Sequence, residues 1–373
     1  MMASPNLRSC SPTQSLKLNV GDWISAGWNR DWIGVIGRGL LILALVLISL
    51  GGVSCTCSNK HASVAAKALV NSAREDLRPL SSVEAGELTD PQLSYLSYYG
   101  FKTDRSRHKL GTFDSRGEPL AAHLIRAPLS GRGTVIVVHG YFDHSGCLPH
   151  LVNGLVDRGY NVAIYDHPGH GLSHGRRIST KDFSIYRSGL SDFTAEVKKN
   201  FPPPYDVVAH SMGATTVIDH LLATEAQPFR RMILVTPLIQ DATPRALVNM
   251  GYAVSPIADY LPRISENNSS DPDYISQFKA DPLQFRCVSI KWTKSFQQWR
   301  RRTENTPPRA ETPLVLNAEL DTVINIDYGQ WWMRKTFPKG QFVNMSGGRH
   351  HLLNEAQPLR GGVLDLIMDE LGR

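Results

Sequence analysis

The sequence has no internal repeat, so its 373 residues are not an array of like units. Its five cysteines, Cys10, Cys55, Cys57, Cys147 and Cys287, form no ladder with metal or disulfide spacing, and no disulfide framework is expected. Basic residues give a formal charge of +6, yet no basic run is interleaved with a recognition motif. That absence argues against nucleic acid as a partner, while the charge suits a weak attraction to anionic membrane surfaces. A hydrophobic content of 42% is at odds with disorder throughout, and the length suffices for one large buried core plus an N-terminal appendage.

Charge is missing altogether between residues 39 and 55. The centre of that stretch, 40–50, is too apolar for a surface helix, and with 32–36 it approaches the length that spans a bilayer. Residues 39–57 therefore read as a membrane anchor or uncleaved signal behind a patternless segment 1–38, with a buried core helix as the plainer alternative. Gly52-Val53-Ser54-Cys55 is similar to a lipoprotein processing site, but Gly52 stands where a branched apolar residue belongs, so acylation is the minor reading. Lys17, Arg30 and Arg38 precede the run and Lys60, Lys67 and Arg74 follow it. The expected arrangement is a bacterial inner-membrane protein with its amino terminus inside and its main domain on the periplasmic side.

From 58 to about 105 the composition turns polar, and Ser81, Ser82, Asp90 and Pro91 mark turns, as in a spacer with one helix. The regular part, 106–373, opens with a hairpin turning at Ser115-Arg116-Gly117. The β-branched run 134–138 follows, as in a strand buried on both faces of a parallel sheet. Patterns then alternate: helix 148–156, strand 162–165, helix 182–199, an apolar strand ending at His210, strand 232–235. This order specifies an α/β fold, an open, mostly parallel central sheet flanked by helices, with ligands at the carboxyl ends of the strands. After Thr236-Pro237-Leu238 the alternation stops for about seventy residues, too many for a bare loop. Residues 242–311 are expected to form an inserted helical lid, with helical stretches at 245–261, 275–279 and 290–302. Strand 314–316, helix 328–336, strand 341–345 and helix 363–371 complete the pattern.

The segment Val207-Val208-Ala209-His210-Ser211-Met212-Gly213-Ala214 carries the chemistry. A serine hydroxyl is a poor nucleophile until a base takes its proton, and a sharp strand-to-helix elbow lifts it towards one. Residues two before and two after must be small where strand and helix nearly touch; they are Ala209, where glycine is usual, and Gly213. A buried strand followed by a helix N-cap serine would look similar, so the partners decide. An acid is required after a later strand and a histidine after the last, and Asp321 and His350 occupy those places in that order. Glu319 is the rival of Asp321 but lies closer to its strand; His351 is the rival of His350, which the strand-end position favours. A tetrahedral intermediate needs fixed N–H donors, and His139-Gly140 at the end of strand 134–138 points to Tyr141 and Met212 as its oxyanion hole. His139 itself reads equally as a filler of the strand end. His167, His170 and His174 have ligand-like spacing, but intervening prolines and glycines put them in a turn and no carboxylate or cysteine set completes a site. No metal and no cofactor are expected.

Four segments together resemble the monoacylglycerol lipase and lysophospholipase branch of the α/β-hydrolases. They are His139-Gly140-Tyr141-Phe142-Asp143-His144-Ser145-Gly146, Asp166-His167-Pro168-Gly169-His170-Gly171-Leu172-Ser173, Ala209-His210-Ser211-Met212-Gly213 and Gly347-Gly348-Arg349-His350. Ala280-Asp281-Pro282-Leu283 is similar to a segment of the same branch, and the likeness runs from about Gly111 to the end. Departures are Ala209 for a usual glycine and Gly348 for a usual alanine, neither of them a catalytic side chain. The resemblance implies a serine ester hydrolase acting on lysophospholipids or monoacylglycerols through an acyl-enzyme. The alternatives are a small-ester esterase or peptidase on the same scaffold, or an inactive binding module. Besides the membrane and a lipid or small ester substrate, no obligate protein partner is expected. In the insertion, Trp292, Phe296 and Trp299 share a helix face with Lys291, Lys294 and Arg300 to Arg302 nearby. They read either as a substrate-binding face for lipid or as a cover over the core.

Overall fold

In the computed structural model, which describes residues 57–102, 107–128, 131–224, 227–263 and 268–373, Val135 and Val137 point into one apolar cluster, and Ile136 and Val138 into another. That alternation is the pleat of a strand covered on both faces, and it repeats across the sheet.

The described chain enters through helices α1 (Val64–Glu75) and α2 (Asp90–Tyr98). A capping box starts α2: Thr89 Oγ1 accepts from Gln92 N, and Gln92 Oε1 accepts from Thr89 N. The expected spacer with one helix thus holds two, and Val70, Ala73, Tyr95, Leu96 and Tyr99 are buried in the core. Strands β1 (His108–Ser115) and β2 (Glu118–Ile125) form the hairpin, with positive φ at both Arg116 and Gly117, the backbone twist that suits a tight hairpin turn. There follow β3 (Thr134–Val138), α3 (Pro149–Asp157), β4 (Asn161–Tyr165), α4 (Ser184–Asn200), β5 (Tyr205–His210), α5 (Met212–Ala223) and β6 (Met232–Val235).

The chain then leaves the sheet for α6 (Arg245–Val254), β7 (Tyr260–Pro262), α7 (Pro272–Ala280), β8 (Cys287–Ser289) and α8 (Ile290–Thr303). It returns with β9 (Leu314–Ala318), α9 (Ile326–Thr336), β10 (Gln341–Met345) and α10 (Leu359–Gly372). The expected helix over 245–261 stops at Val254, ahead of Pro256, which has no N–H to continue it. The β7/β8 ribbon was not foreseen, since three-residue strands are too short to carry a period.

The eight-stranded sheet runs in the order β1-β2-β4-β3-β5-β6-β9-β10, antiparallel at β1/β2 and β2/β4 and parallel from β4 onwards. Side chains of α1, α2, α3 and α10 fill the cluster on one face, and those of α4, α5, α8 and α9 fill the other.

Two expectations are corrected. A disulfide joins Cys57 to Cys287 across 230 residues, a pairing that no local spacing announces. Around it, Arg286 N donates to Cys57 O at 2.8 Å, and Asn59 Nδ2 to Asp281 O at 2.6 Å, so the bond lies within a tight contact. The expected membrane localisation is corrected as far as the described residues go: among them no helix is long and apolar enough to cross a membrane. Segment 1–38 and residues 39–56 of the expected anchor lie outside the described residues.

Candidate active site

Ser211 sits between β5 and α5 with φ 52° and ψ −117°, a conformation that non-glycine residues adopt at a cost of roughly 1–3 kcal/mol. Backbone bonds hold it there. Ser211 N donates to Val235 O at 2.9 Å, and Ser211 O accepts from Leu238 N and Thr215 N, each at 3.2 Å. Gly213 is obligatory, because a Cβ at that position would overlap the carbonyl oxygens of Val138 and His139. Ala209, by contrast, is accommodated in the core.

The sheet order brings the sequence-predicted partners to this elbow. Asp321 follows β9 and His350 follows β10. His350 Nε2 is 3.0 Å from Ser211 Oγ, and His350 Nδ1 is 2.7 Å from Asp321 Oδ2. The second carboxylate oxygen, Oδ1, accepts from Val323 N at 2.8 Å and Ile324 N at 3.2 Å. Burial pushes the Asp321 carboxyl up, but the His350 imidazole and these amides outweigh it and hold the group below its usual range. Asp321 therefore accepts from His350 Nδ1–H, which leaves the Nε2 lone pair free for the serine proton. All three are nearly covered, Ser211 and His350 at 5% exposure and Asp321 at 7%.

The rivals face elsewhere. Glu319 Oε2 accepts from Ser346 Oγ at 2.8 Å and Gly347 N at 2.9 Å, and so shapes the turn after β10. His351 Nδ1 meets the Tyr274 hydroxyl at 3.2 Å, and burial pushes its pKa down to about 3.

The loop after β3 abuts the elbow: a Cβ on Gly140 would come within 3.3 Å of Ser211 Cβ. Among the described residues neither Tyr141 N nor Met212 N donates a hydrogen bond. His139 is a filler of the strand end, as one reading had it: its Nε2 accepts from His167 N at 3.0 Å and its Nδ1 donates to Gly140 O at 2.7 Å. His170 faces the carbonyls of Pro168 and Tyr141 at 2.9 and 2.5 Å, and His167 that of His139 at 3.2 Å, so these rings brace two loops. Asp166 does the same, accepting from Ser145 N and Leu172 N at 2.7 Å each; a Cβ on Gly171 would strike its carboxylate.

Phe296 and Trp299 are core residues, at 0% and 1% exposure, stacked on each other and packed on Phe183. Their burial agrees with the core-cover reading of this face, which is turned to the sheet. Trp292 differs, since it stacks on Tyr141 with ring centroids 3.7 Å apart.

Sequence reasoning missed Asp143 and His210, whose Oδ2 and Nδ1 lie 2.9 Å apart directly beneath the elbow. Both stood within quoted motifs, but nothing in their spacing signals the pairing. Asp143, His210 and His351 lie close enough to share a metal ion, as do His144, Cys147 and Asp281. In each group a histidine bonds the carboxylate directly, at 2.9 Å for His210 and 2.7 Å for His144, while Asp143 Oδ1 has no hydrogen-bond partner among the described residues and lies 3.6 Å from His351 Nε2.

Comparison with known proteins follows the same lines. A family described as serine aminopeptidase, S33, matches residues 130–357, more than half of the chain. The monoglyceride lipase homolog of monkeypox virus is 27% identical over 246 residues, covering 63% of this chain and 88% of that protein. The monoglyceride lipase of Rattus norvegicus is 26% identical over 243 residues, covering 61% and 78%. A solved soluble variant of monoglyceride lipase from Saccharomyces cerevisiae, in complex with a substrate analog, superposes with a TM-score of 0.62 at 17% identity, covering 74% of this chain and 97% of that one.

Proposed function

The chain belongs to the serine aminopeptidase, S33, family and to the monoacylglycerol lipase branch of the α/β-hydrolases, and from that premise we propose that it hydrolyses the ester of a monoacylglycerol or lysophospholipid, with Ser211, His350 and Asp321 as its catalytic triad. That it is a carboxylic ester hydrolase follows from the family and its relatives. The observation that carries the triad is the unbroken chain of hydrogen bonds from Asp321 through His350 to Ser211, at 2.7 and 3.0 Å.

Ser211 Oγ attacks the ester carbonyl as His350 Nε2 takes its proton. Asp321, ionised and fixed by two amides, orients the imidazole and stabilises the imidazolium. The N–H groups of Tyr141 and Met212 receive the oxyanion; losing one such donor typically lowers kcat by about 10²–10³. His350 returns the proton to the leaving alcohol, and water repeats the cycle on the acyl-enzyme.

On this reading residues 106–373 are the catalytic domain and 242–311 its lid. Two contacts support the lid. Trp292 stacks on Tyr141, and the Arg263 guanidinium lies 3.8 Å from the centroid of the Phe142 ring, so the insertion covers the loop that would receive the oxyanion. An acyl chain leaving water for such a cover gains about 0.8 kcal/mol per methylene, which favours long-chain esters.

A panel of monoacylglycerols, lysophospholipids, p-nitrophenyl esters and an aminoacyl anilide tests the substrate class. Monoacylglycerols or lysophospholipids should give the highest kcat/KM. A preference for p-nitrophenyl acetate would make the protein a small-ester esterase, and a preference for the anilide a peptidase.

A further inference from the structure

His350 is held by its backbone as well as by its ring. Its carbonyl oxygen accepts two hydrogen bonds, from Thr236 Oγ1 at 3.0 Å and from His210 Nε2 at 3.1 Å. The donors come from neighbouring strands, since His210 closes β5 and Thr236 follows β6. Thr236 is itself fixed: its N–H donates to Leu316 O at 2.7 Å and its φ is 44°, a left-handed conformation rarely left to a β-branched residue. His210 is fixed from behind by Asp143, whose Oδ2 lies 2.9 Å from Nδ1 and also accepts the Gly140 N–H at 3.2 Å. His210 thus stands between two acceptors, the Asp143 carboxylate at Nδ1 and the His350 carbonyl at Nε2.

A buried carboxylate–histidine pair is poor packing material, because desolvating it offsets what the pair gains. Asp143 and His210 are 3% and 1% exposed, and neither contacts Ser211 Oγ, His350 Nε2 or Asp321 through a hydrogen bond. Beyond the Gly140 N–H that Asp143 accepts and the His351 ring 3.6 Å from its Oδ1, the pair reaches the backbone of the residue that must meet the serine. Position matters there: a misplacement of about 1 Å at a reacting group costs roughly a hundredfold in rate.

We infer that Asp143, His210 and Thr236 are positioning residues that clamp the carbonyl of His350, an inference that rests on the Ser211–His350–Asp321 reading. Asp143 sets the plane of the His210 ring; His210 and Thr236 together fix the loop after β10 against the ends of β5 and β6. The imidazole then reaches Ser211 from a backbone that cannot drift. The pair acts on the rate of acylation and not on substrate affinity.

Asparagine and glutamine separate the two nitrogens of His210, because an Asn amide reaches towards the place of Nδ1 and a Gln amide towards that of Nε2. His210→Asn keeps a partner for Asp143 but loses the bond to His350 O; His210→Gln keeps that bond. Thr236→Val removes the second donor with almost no change of shape. His210→Asn and Thr236→Val should each lower kcat about tenfold or more with KM within about twofold, and slow phosphonylation by a fluorophosphonate in parallel. His210→Gln should recover most of the loss seen with His210→Asn. Each variant is checked for folding by thermal melting, and Thr236→Val decides alone if the His210 variants do not fold. Wild-type kcat in Thr236→Val and His210→Asn, a change in KM alone, or equal losses in His210→Asn and His210→Gln would overturn the clamp. Ser211→Ala and His350→Ala run alongside: turnover in them would overturn the triad itself, whereas inactive controls beside fully active Thr236→Val would overturn only the clamp.

Discussion

His350 Nε2 lies 3.0 Å from Ser211 Oγ although 139 residues separate them in the chain. The sheet makes the contact. Parallel strands end on one side, so the residues that follow β5, β9 and β10 share a rim, and His210 bonds the His350 backbone from the end of β5. Ser211 is presented there by an elbow that only Gly213 permits.

The ranking of the two adjacent histidines follows from this geometry. His350→Ala should abolish ester hydrolysis, because nothing else can take the serine proton. His351→Ala removes a ring that meets Tyr274 and lies 3.6 Å from Asp143, and should retain a measurable fraction of kcat. Steady-state kinetics of the two variants decides; the reverse ranking would transfer the base to His351.

Phe296→Ala should act on stability. The ring is wholly buried between Trp292 and Trp299, and its removal should destabilise the fold by about 3–5 kcal/mol. Urea unfolding measures the loss. A lower kcat/KM for long-chain esters at unchanged stability would instead return this residue to the substrate.

The Cys57–Cys287 bond closes a loop of most of the described chain, and removing it should cost about 2–4 kcal/mol. The free thiol of Cys147 is buried, which pushes it up to about 11 and makes it a poor exchange partner. Reductant should therefore lower the Tm of the wild type and leave that of Cys57→Ala/Cys287→Ala unchanged. Equal Tm values with and without reductant in the wild type would contradict this.

Acid should unfold the protein through its buried carboxylates. Burial pushes Asp166 up, but His139, His144 and the amides of Ser145 and Leu172 outweigh it and hold the group below its usual range; His351, His210 and His139 do the same for Asp143. A depressed carboxyl binds fewer protons folded than unfolded. Its contribution is thus complete above the unfolded value of about 3.9 and is lost as pH falls through the lower folded value. Unfolding free energy should drop between pH 5 and pH 2 (about the range where such groups titrate), and Asp166→Asn should flatten that slope. A slope unchanged in the variant would remove Asp166 from the account.

Much of the fold was legible because its signals are periodic. The run 134–138 announced a doubly covered strand, and strands 232–235 and 341–345 lie where the sequence placed them. The chain order of Ser211, Asp321 and His350 was legible for the same reason, since a strand end fixes where a following residue stands. What escaped were the long-range pairings that no strand end fixes. Cys57 and Cys287, or Asp143 and His210, are joined by the closing of the fold, and no local pattern carries such a contact. The aromatic face of α8 illustrates a different limit: the period gives a buried face, but whether lipid or core covers it is decided by what lies opposite, here Phe183 and Trp332.

The central claim is that Ser211 is the nucleophile. The direct measurement is mass spectrometry of the protein after reaction with a fluorophosphonate, with peptide mapping of the adduct. One phosphonyl group should be found, on Ser211, with ester hydrolysis lost in proportion; Ser211→Ala should stay folded, take up none and hydrolyse nothing. An adduct on another residue, or undiminished ester hydrolysis by folded Ser211→Ala, would contradict the account.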